Sequence, residues 1–297
     1  MANNKPRRRL LATDLDGTFL DSAGSVTAQN RAAVQKANEN GLNIVFVTGR
    51  PARWLRGVAE ASQHFALMIG GNGGFIADMQ SMTVVSNNSI DNAAARNAVE
   101  RVLERFPDAT FGIERSFIGM PIAQSHADRY DEMRVDSLSE FEFAVTDGYV
   151  PAWNIAQSIP VAPISELVQL SDITKIIIKP GDPTGWNSDT WLAEISPLVN
   201  DVVQVTHASQ EIVLAELSAL GITKATALAQ VAATAGLTSD DCVAVGDMPN
   251  DVPMLEWVAE PWTVANAHDE VLAVTTNVLP HHDESPVALL IEDLLAR

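Results

Sequence analysis

Leu10-Leu11-Ala12-Thr13-Asp14-Leu15-Asp16-Gly17-Thr18-Phe19-Leu20 is the stretch that decides the fold of this chain. Its opening residues are apolar and read as a buried strand. The run then breaks into Asp-x-Asp-Gly-Thr, where Gly17 permits a sharp turn. Asp14 and Asp16 alternate with Leu15, so their carboxylates point to the same side of a strand end. Like charges that close ionise together cheaply only where a cation or an anion-handling chemistry demands them. A loop holding both beyond a strand's carboxyl end is a hard-oxygen site suited to Mg²⁺. The plainer reading is a turn with two solvated acids, and the rest of the chain has to decide between them.

Other segments also put polar residues directly after an apolar run. Leu42–Val47 ends in Thr48-Gly49-Arg50, and Phe65–Ile69 ends in Gly70-Gly71-Asn72-Gly73-Gly74. Cys242–Val245 ends in Gly246-Asp247-Met248-Pro249-Asn250-Asp251, and Lys224 opens a helical pattern. In an open α/β sheet, ligands bind beyond the carboxyl ends of parallel strands. Independent loops would not all carry their special residues there by chance. The expected fold is α/β, with a Rossmann-like, doubly wound parallel-sheet core.

Composition sets the bounds. The chain has 297 residues, 46% of them hydrophobic, which suits a globular protein with a large core and two domains. A formal charge of -19 argues against a nucleic-acid partner, whose phosphates are held by Lys and Arg, and for a self-repelling surface. A protein this acidic must supply positive charge locally to handle an anion, and Lys224 and a metal would do so. Cys242 is the single cysteine. It allows no disulfide within the chain, which fits a reducing cytoplasm, and it reads as a small core residue. The basic Lys5-Pro6-Arg7-Arg8-Arg9 is not followed by the roughly 7–15 apolar residues of a signal peptide. No stretch approaches the roughly 18 apolar residues of a membrane span. A cytoplasmic protein without a membrane partner is expected, and the oligomeric state is left open.

In chain order, residues 1–9 read as a loosely attached tail. Thr27 caps a helix expected to reach about Asn40, with Gly41 as its stop. Pro51 opens the next helix, Ala52 to about Ser62, and a short strand lies near Phe75-Ile76-Ala77. From about Met82 the motif logic lapses. A helix from Asp91 to Phe106 buries Ala95, Val99 and Val102, and Ala109–Glu114 alternates like a strand. Residues 123–172 carry no clear pattern. Ile173–Lys179 is a strand, Ser188–Val199 a helix and Val202–Thr206 a strand. Residues 83–208 are expected to form an inserted α/β cap domain with an open sheet, with 1–82 and 209–297 as the core. Glu211–Leu217 is expected to lead back, extended, to that core. Lys224 opens a helix to about Ala235, ended by Gly236. Pro253-Met254-Leu255 starts a short helix, Trp262–Ala265 is a last core strand, and Ser285–Ala296 is a closing helix.

Asp14-x-Asp16-Gly17-Thr18, Thr48-Gly49-Arg50, Asn72-Gly73, Lys224 and Gly246-Asp247-x-x-Asn250-Asp251 follow one another in a known order and spacing. On these motifs the chain resembles the haloacid dehalogenase superfamily phosphatases of the Cof-like branch. The resemblance covers nearly the whole chain, although the middle third matches only in its pattern of elements. It implies a Mg²⁺-dependent phosphatase acting on phosphate monoesters of small, sugar-phosphate-like metabolites through an aspartyl-phosphate. It also implies that Asp16 lends its backbone carbonyl to the metal, and that a cap between the Asn-Gly loop and the motif lysine chooses the leaving group. The split of roles between Asp14 and Asp16 comes from the resemblance.

The residues suit that chemistry. Phosphate monoester hydrolysis is very slow unaided, so it needs a nucleophile, charge neutralisation and proton transfer. The Asp14 carboxylate can form an acyl phosphate and split one displacement into two. Mg²⁺ would bridge Asp14 and a phosphoryl oxygen, with Asp247 as a further ligand. Asp16 would protonate the leaving oxygen and later take a proton from water. Asp251 either supports the metal ligands or holds Lys224. Thr48 offers a hydroxyl to phosphate or closes a local turn. Lys224 opposes its helix dipole, which suits a phosphate-balancing role, although a surface lysine is the commoner fate. Gly49, Asn72, Gly73 and Asn250 are phosphate- or substrate-binding candidates, with a simple turn asparagine as the alternative for Asn72. Arg50 either contacts phosphate or locks its loop.

Some positions depart from the family pattern. Ala225 follows Lys224, only Asn266-Ala267 remains of a longer signature, and Ser285-Pro286 precedes Val287. These leave loop geometry open without removing a catalytic group. His281-His282-Asp283-Glu284 is either solvated or a transition-metal site. Phosphomutase-type transfer and a noncatalytic phosphometabolite-binding or regulatory module remain rivals on the same fold. The intact set Asp14, Asp16, Lys224 and Asp247 favours hydrolysis. The natural substrate, and the cap residues that meet it, are not readable from the chain.

Overall fold

The computed structural model describes residues 8–122, 141–151, 159–206 and 212–297. Strands β1 (Leu10–Thr13), β2 (Asn43–Val47), β3 (Leu67–Gly70), β4 (Phe75–Asp78) and β5 (Thr83–Asn87) come first. Next are β6 (Thr110–Arg115), β7 (Phe143–Val145), β8 (Ile173–Lys179), β9 (Val203–Thr206) and β10 (Ala215–Ala219). The last are β11 (Cys242–Gly246), β12 (Glu260–Val264) and β13 (Val278–Leu279). They form an eight-stranded sheet in the order β13-β12-β11-β1-β2-β3-β4-β5 and a five-stranded sheet in the order β7-β6-β8-β10-β9. From β13 to β3 neighbouring strands are parallel, and β4 and β5 close that edge as antiparallel strands. The second sheet is antiparallel throughout.

The first sheet is doubly wound because its strands are apolar on both faces. Leu11, Phe46 and Val245 pack under the helices Ala28–Glu39, Leu55–Ser62 and Pro286–Leu295. Leu10, Ala12 and Ala244 face the opposite way, against the helices Lys224–Thr234 and Val252–Trp257. Each fully buried Leu or Phe contributes about 1.5–3 kcal/mol. Thr27 caps the first helix through Asn30 N–H, and Asp91 caps Asn92–Arg105, as their sequence positions require. Cys242 is wholly buried in the core, which pushes its thiol up to about 11.

The main core of the second sheet lies on one side, and a smaller cluster of Phe143, Val145, Tyr149, Ile177 and Leu214 lies on the other. Ile176 and Ile178 of β8 and Ala215 and Leu217 of β10 pack against the helices Asn92–Arg105 and Ser188–Val199, with Trp191 at the centre. The alternate residues, Lys175, Ile177 and Glu216, stand on the other face, which closes over the carboxyl ends of the first sheet.

Several expectations need correction. The boundaries 82/83 and 208/209 do not follow the sheets. Thr83–Asn87 pairs with β4 at the edge of the first sheet, because Asp78–Met82 turns the chain back in a hairpin that its sequence does not advertise. The described part of Glu211–Leu217 does not lead straight to the core, since Ala215–Ala219 pairs with β8 and β9. A strand's partner is not encoded in its own alternation. Trp262–Ala265 is not the last strand, because β13 adds beyond it. Arg8 and Arg9 are tied down, with Arg9 N–H donating to Asp241 O at 2.9 Å and Arg8 Nε 3.2 Å from Glu260. The remainder of the expected tail, residues 1–7, lies outside the described residues. Within the patternless 123–172, the described residues include β7 and a short helix, Ile164–Leu167.

Candidate active site

The order of the strands locates the site. β2 and β3 extend the sheet to one side of β1, and β11, β12 and β13 extend it to the other. The carboxyl ends of β1 and β11 therefore flank a topological switch point, where an open parallel sheet leaves a crevice. Asp14 is the first residue past β1, and its N–H still belongs to the ladder, donating to Val245 O at 2.9 Å. Its side chain is buried in the crevice. The chain then winds through Leu15–Phe19, with Gly17 at φ 77°. A Cβ on Gly17 would lie 2.3 Å from Asp247 Oδ2, so glycine lets the two acidic loops meet. Thr18, which carried no role in the sequence reading, donates its hydroxyl to Asp247 Oδ1 at 2.9 Å.

Lys224 is the first residue of its helix, behind a capping box made by Thr223 and Thr226. It is 1% exposed, so it is no surface lysine. Its Nζ donates to Asp14 Oδ1 at 2.6 Å and to Asp251 Oδ1 at 2.5 Å. Asp251 Oδ2 accepts the N–H groups of Asp247 and Met248, both at 3.0 Å. Asp251 thus holds both the lysine and the acidic loop, and neither of its oxygens is left over. Gly73 brings the Asn72 loop against this helix start, since a Cβ there would come within 2.4 Å of Thr223 O.

Electrostatically the site is short of positive charge. Burial raises the Asp14 pKa well above the carboxylate range; Lys224 pulls it down, and Asp251, Asp247 and Asp16 push it up further. Burial, with Asp251 next, pushes Asp247 up to about 7. Lys224 is raised in spite of its burial, because Asp14 and Asp251 both stabilise the ammonium. Oxygens of Asp14, Asp247 and Asp251 lie within 4.8 Å of one another. Among the described residues no hydrogen bond is made to Asp14 Oδ2 or Asp247 Oδ2. Two buried carboxylate oxygens without donors, in a cluster of three acids and one lysine, fit a divalent hard cation.

The remaining candidates surround this centre. Asp16 is on the exposed side, gripped by Arg50 through Nε (2.8 Å) and Nη2 (2.6 Å). Arg50 therefore locks its loop to the Asp turn. Thr48 Oγ1 accepts Arg50 N–H at 3.1 Å, the local turn, and its own proton is still available to donate. Gly49 O accepts from Lys175 Nζ at 2.6 Å. Asn72 does not keep its donors for a ligand: Nδ2 donates to Glu216 Oε2 at 2.7 Å and its N–H to Thr48 O at 3.0 Å. Asn250 Nδ2 donates to Asn72 Oδ1 at 3.0 Å, and Asn250 Oδ1 is buried without a partner.

A cavity of about 310 Å³ opens from Asp14 and Asp16 toward the second sheet. Its far wall holds Glu114, Lys175, Ile177 and Glu216, with Trp54 and Met248 from the core loops. Sequence reasoning missed all of these. Their one signal was a single charge inside an apolar strand, as in Ile173-Thr174-Lys175-Ile176-Ile177 and Leu214-Ala215-Glu216-Leu217. His281, His282 and Asp283 do cluster, but they serve loop packing. His282 Nδ1 is 2.8 Å from Leu20 O, and Asp283 accepts from Ser22 N–H and Oγ, each at 2.7 Å.

Comparison with known proteins agrees with this geometry. A family model described as haloacid dehalogenase-like hydrolase matches residues 11–291. The chain is 23% identical over 292 residues to a 5-amino-6-(5-phospho-D-ribitylamino)uracil phosphatase of Bacillus subtilis, covering 97% of this chain and 98% of that protein. It is 24% identical over 284 residues to the HMP-PP phosphatase of Citrobacter koseri, covering 92% and 88%. Among solved structures, a phosphatase of this superfamily from Bacteroides thetaiotaomicron superposes with a TM-score of 0.74 at 19% identity, covering 100% of both chains. A subclass IIB sugar phosphatase superposes with a TM-score of 0.73 at 16% identity, covering 97% and 100%. At these identities the superpositions speak for the fold.

Proposed function

The chain belongs to the haloacid dehalogenase-like hydrolase family, and on that footing we propose that it is a phosphatase acting on phosphate monoesters of small metabolites. The observation that carries the reading is the buried Asp14–Lys224–Asp251 line, with Asp16 and Asp247 beside it at the ends of β1 and β11. The relatives named as phosphatases support it. The side chains of Asp14 and Asp247 and the backbone carbonyl of Asp16 are the groups that would hold Mg²⁺. Bound there, the ion draws charge from phosphoryl oxygens and lets the crowded carboxylates stay ionised.

The chain's own residues supply the rest. Lys224 fixes the Asp14 carboxylate, one oxygen of which attacks phosphorus. A bond forms from that oxygen to phosphorus as the ester P–O bond breaks, and Asp16 gives the leaving oxygen its proton. Water then attacks the phosphorus of the aspartyl-phosphate and passes a proton to Asp16. Inorganic phosphate leaves and the Asp14 carboxylate returns. Arg50 anchors Asp16 at the mouth of the cavity, and this ion pair opens for Asp16 to carry the proton. Thr48 hydroxyl and the Lys224 ammonium serve the phosphoryl oxygens, and the unpartnered Asn250 Oδ1 is an acceptor for a substrate donor. The unit built on the second sheet acts as the cap that covers the leaving group and excludes water. A single buried cysteine suits a reducing, cytoplasmic setting; among the described residues no helix is long and apolar enough to cross a membrane.

The test is p-nitrophenyl phosphate turnover with and without Mg²⁺, by the wild type and by Asp14→Asn. Metal-dependent release of phosphate that the substitution abolishes is the expected result. Turnover unaffected by Asp14→Asn would sink the assignment.

A further inference from the structure

We infer that Glu216, on the second sheet, is a positioning residue for Asn250 in the core: through Asn72 it fixes which end of the Asn250 amide is left for a ligand. The inference rests on the phosphatase reading above for its bearing on the reaction, and on hydrogen bonds alone for its geometry. Asn72 links the two residues. It stands in the turn after β3 at φ 58°, a left-handed conformation that asparagine tolerates. Its Nδ2 donates to Glu216 Oε2 at 2.7 Å, and its Oδ1 accepts from Asn250 Nδ2 at 3.0 Å. Glu216, Asn72 and Asn250 are all buried.

A carboxylate only accepts, whereas an amide has an accepting and a donating end. Glu216 Oε1 takes Lys175 Nζ at 2.7 Å, and the same ammonium is held by Gly49 O at 2.6 Å. The other oxygen, Oε2, has to meet the NH₂ end of Asn72. That turns Asn72 Oδ1 toward Asn250, which has to answer with its own NH₂. What remains is Asn250 Oδ1, buried and without a partner among the described residues. Turning Asn72 over would set two oxygens 2.7 Å apart on one side and two NH₂ groups 3.0 Å apart on the other, in a buried site where water screens little.

The polarity therefore runs one way, from the carboxylate to the residue that lines the cavity together with Asp14 and Asp16. It matters there because a carbonyl oxygen receives a hydroxyl or water hydrogen, whereas an NH₂ group would seek a phosphoryl oxygen. Glu216 stands on the second sheet and both asparagines on loops of the first, so the acceptor is set only while the two units are together.

Moving the carboxylate along the chain of amides tests this. Asn250→Asp keeps the shape but sets an acceptor against Asn72 Oδ1, and Glu216 stops Asn72 from turning over. The melting midpoint should fall, and kcat/KM for p-nitrophenyl phosphate with Mg²⁺ should drop about thirtyfold. Adding Glu216→Gln gives Asn72 a donor to face and lets it turn. The double variant should regain about tenfold in kcat/KM over Asn250→Asp and melt higher. Glu114→Gln removes the same charge from the same wall but takes no part in the chain of amides, and should restore neither. Restoration by both variants alike, by neither, or of the melt without the activity overturns the inference. Should Glu216→Gln fail to fold, neutron diffraction from the wild-type chain reads the amide deuterons directly. Deuterons on the Asn250 atom that faces Asn72 are expected, and a bare oxygen there overturns the inference. Absence of turnover in the wild type overturns the phosphatase reading, while the melts and the neutron map still read the amides.

Discussion

In the core half of the pocket the polar groups stand on loops at strand ends; in the cap half they stand on the faces of strands. The difference shows in what each half tolerates. Asp14, Lys224, Asp247 and Asp251 are tied to backbone N–H groups, to a helix start and to one another, so their positions follow from the winding of the sheet. Glu114, Lys175 and Glu216 are alternate residues of β6, β8 and β10. Their strands take their larger core from the other side, so these positions are less bound to the folding of that unit. On the proposed function, the core half fixes the reaction and the cap half varies the leaving group.

Substitutions in the two halves should therefore differ in kind. The largest effect is expected from Lys224→Met, which leaves Asp14 and Asp251 buried without their cation. It should cost about 3–5 kcal/mol in denaturant unfolding and abolish turnover. A melt and activity close to wild type would mean that the lysine is not the counter-charge described here. Gly17→Ala comes next. Its Cβ meets Asp247 Oδ2 at 2.3 Å in a left-handed backbone, so kcat should fall about a hundredfold, with little change in KM. Ile177→Ala, in the cap half of the cavity, should raise KM about tenfold and change kcat much less, because it removes binding shared by ground and transition states. A kcat collapse at Ile177 would erase the distinction between the halves.

The smallest effect is expected at Glu260, at the far end of β12. Burial alone would raise its carboxyl, but Arg297, Arg8 and Trp262 outweigh it and hold it at about 2. A depressed acid stabilises the fold above its unfolded pKa of about 4.5 and loses that contribution as pH falls through about 2. The side chain is 11% exposed and its partners lie just under the surface, and Gln keeps part of the hydrogen bonding, so Glu260→Gln should cost about 1 kcal/mol at pH 7. The gap between variant and wild type in urea midpoint should close as pH falls across that window, with no change in KM at pH 7.

The same contrast explains what could be read in advance. The core motifs were legible because each couples a local backbone event to a chemistry: Asp14 and Asp16 before Gly17, Thr48 after an apolar strand, Lys224 at a helix start. The helix Ser188–Val199 and the strand Ile173–Lys179 were legible from periodicity alone. The pairing of Thr83–Asn87 with the first sheet and of Ala215–Ala219 with the second was not, because pairing is a property of two segments. Lys175 and Glu216 carry no site motif of their own, and only the meeting of the two sheets turns them to the cavity. Thr18 sat inside a quoted motif, but its bond to Asp247 spans 229 residues, which no local pattern encodes.

The central claim is that Asp14 carries the phosphoryl group. Enzyme turning over p-nitrophenyl phosphate with Mg²⁺ is quenched in acid, treated with borohydride, which reduces an acyl phosphate to an alcohol, and mapped by peptide mass spectrometry. The account predicts homoserine at position 14 and its absence from Asp14→Asn. Homoserine at another carboxylate, or none at all while phosphate is being released, would contradict it.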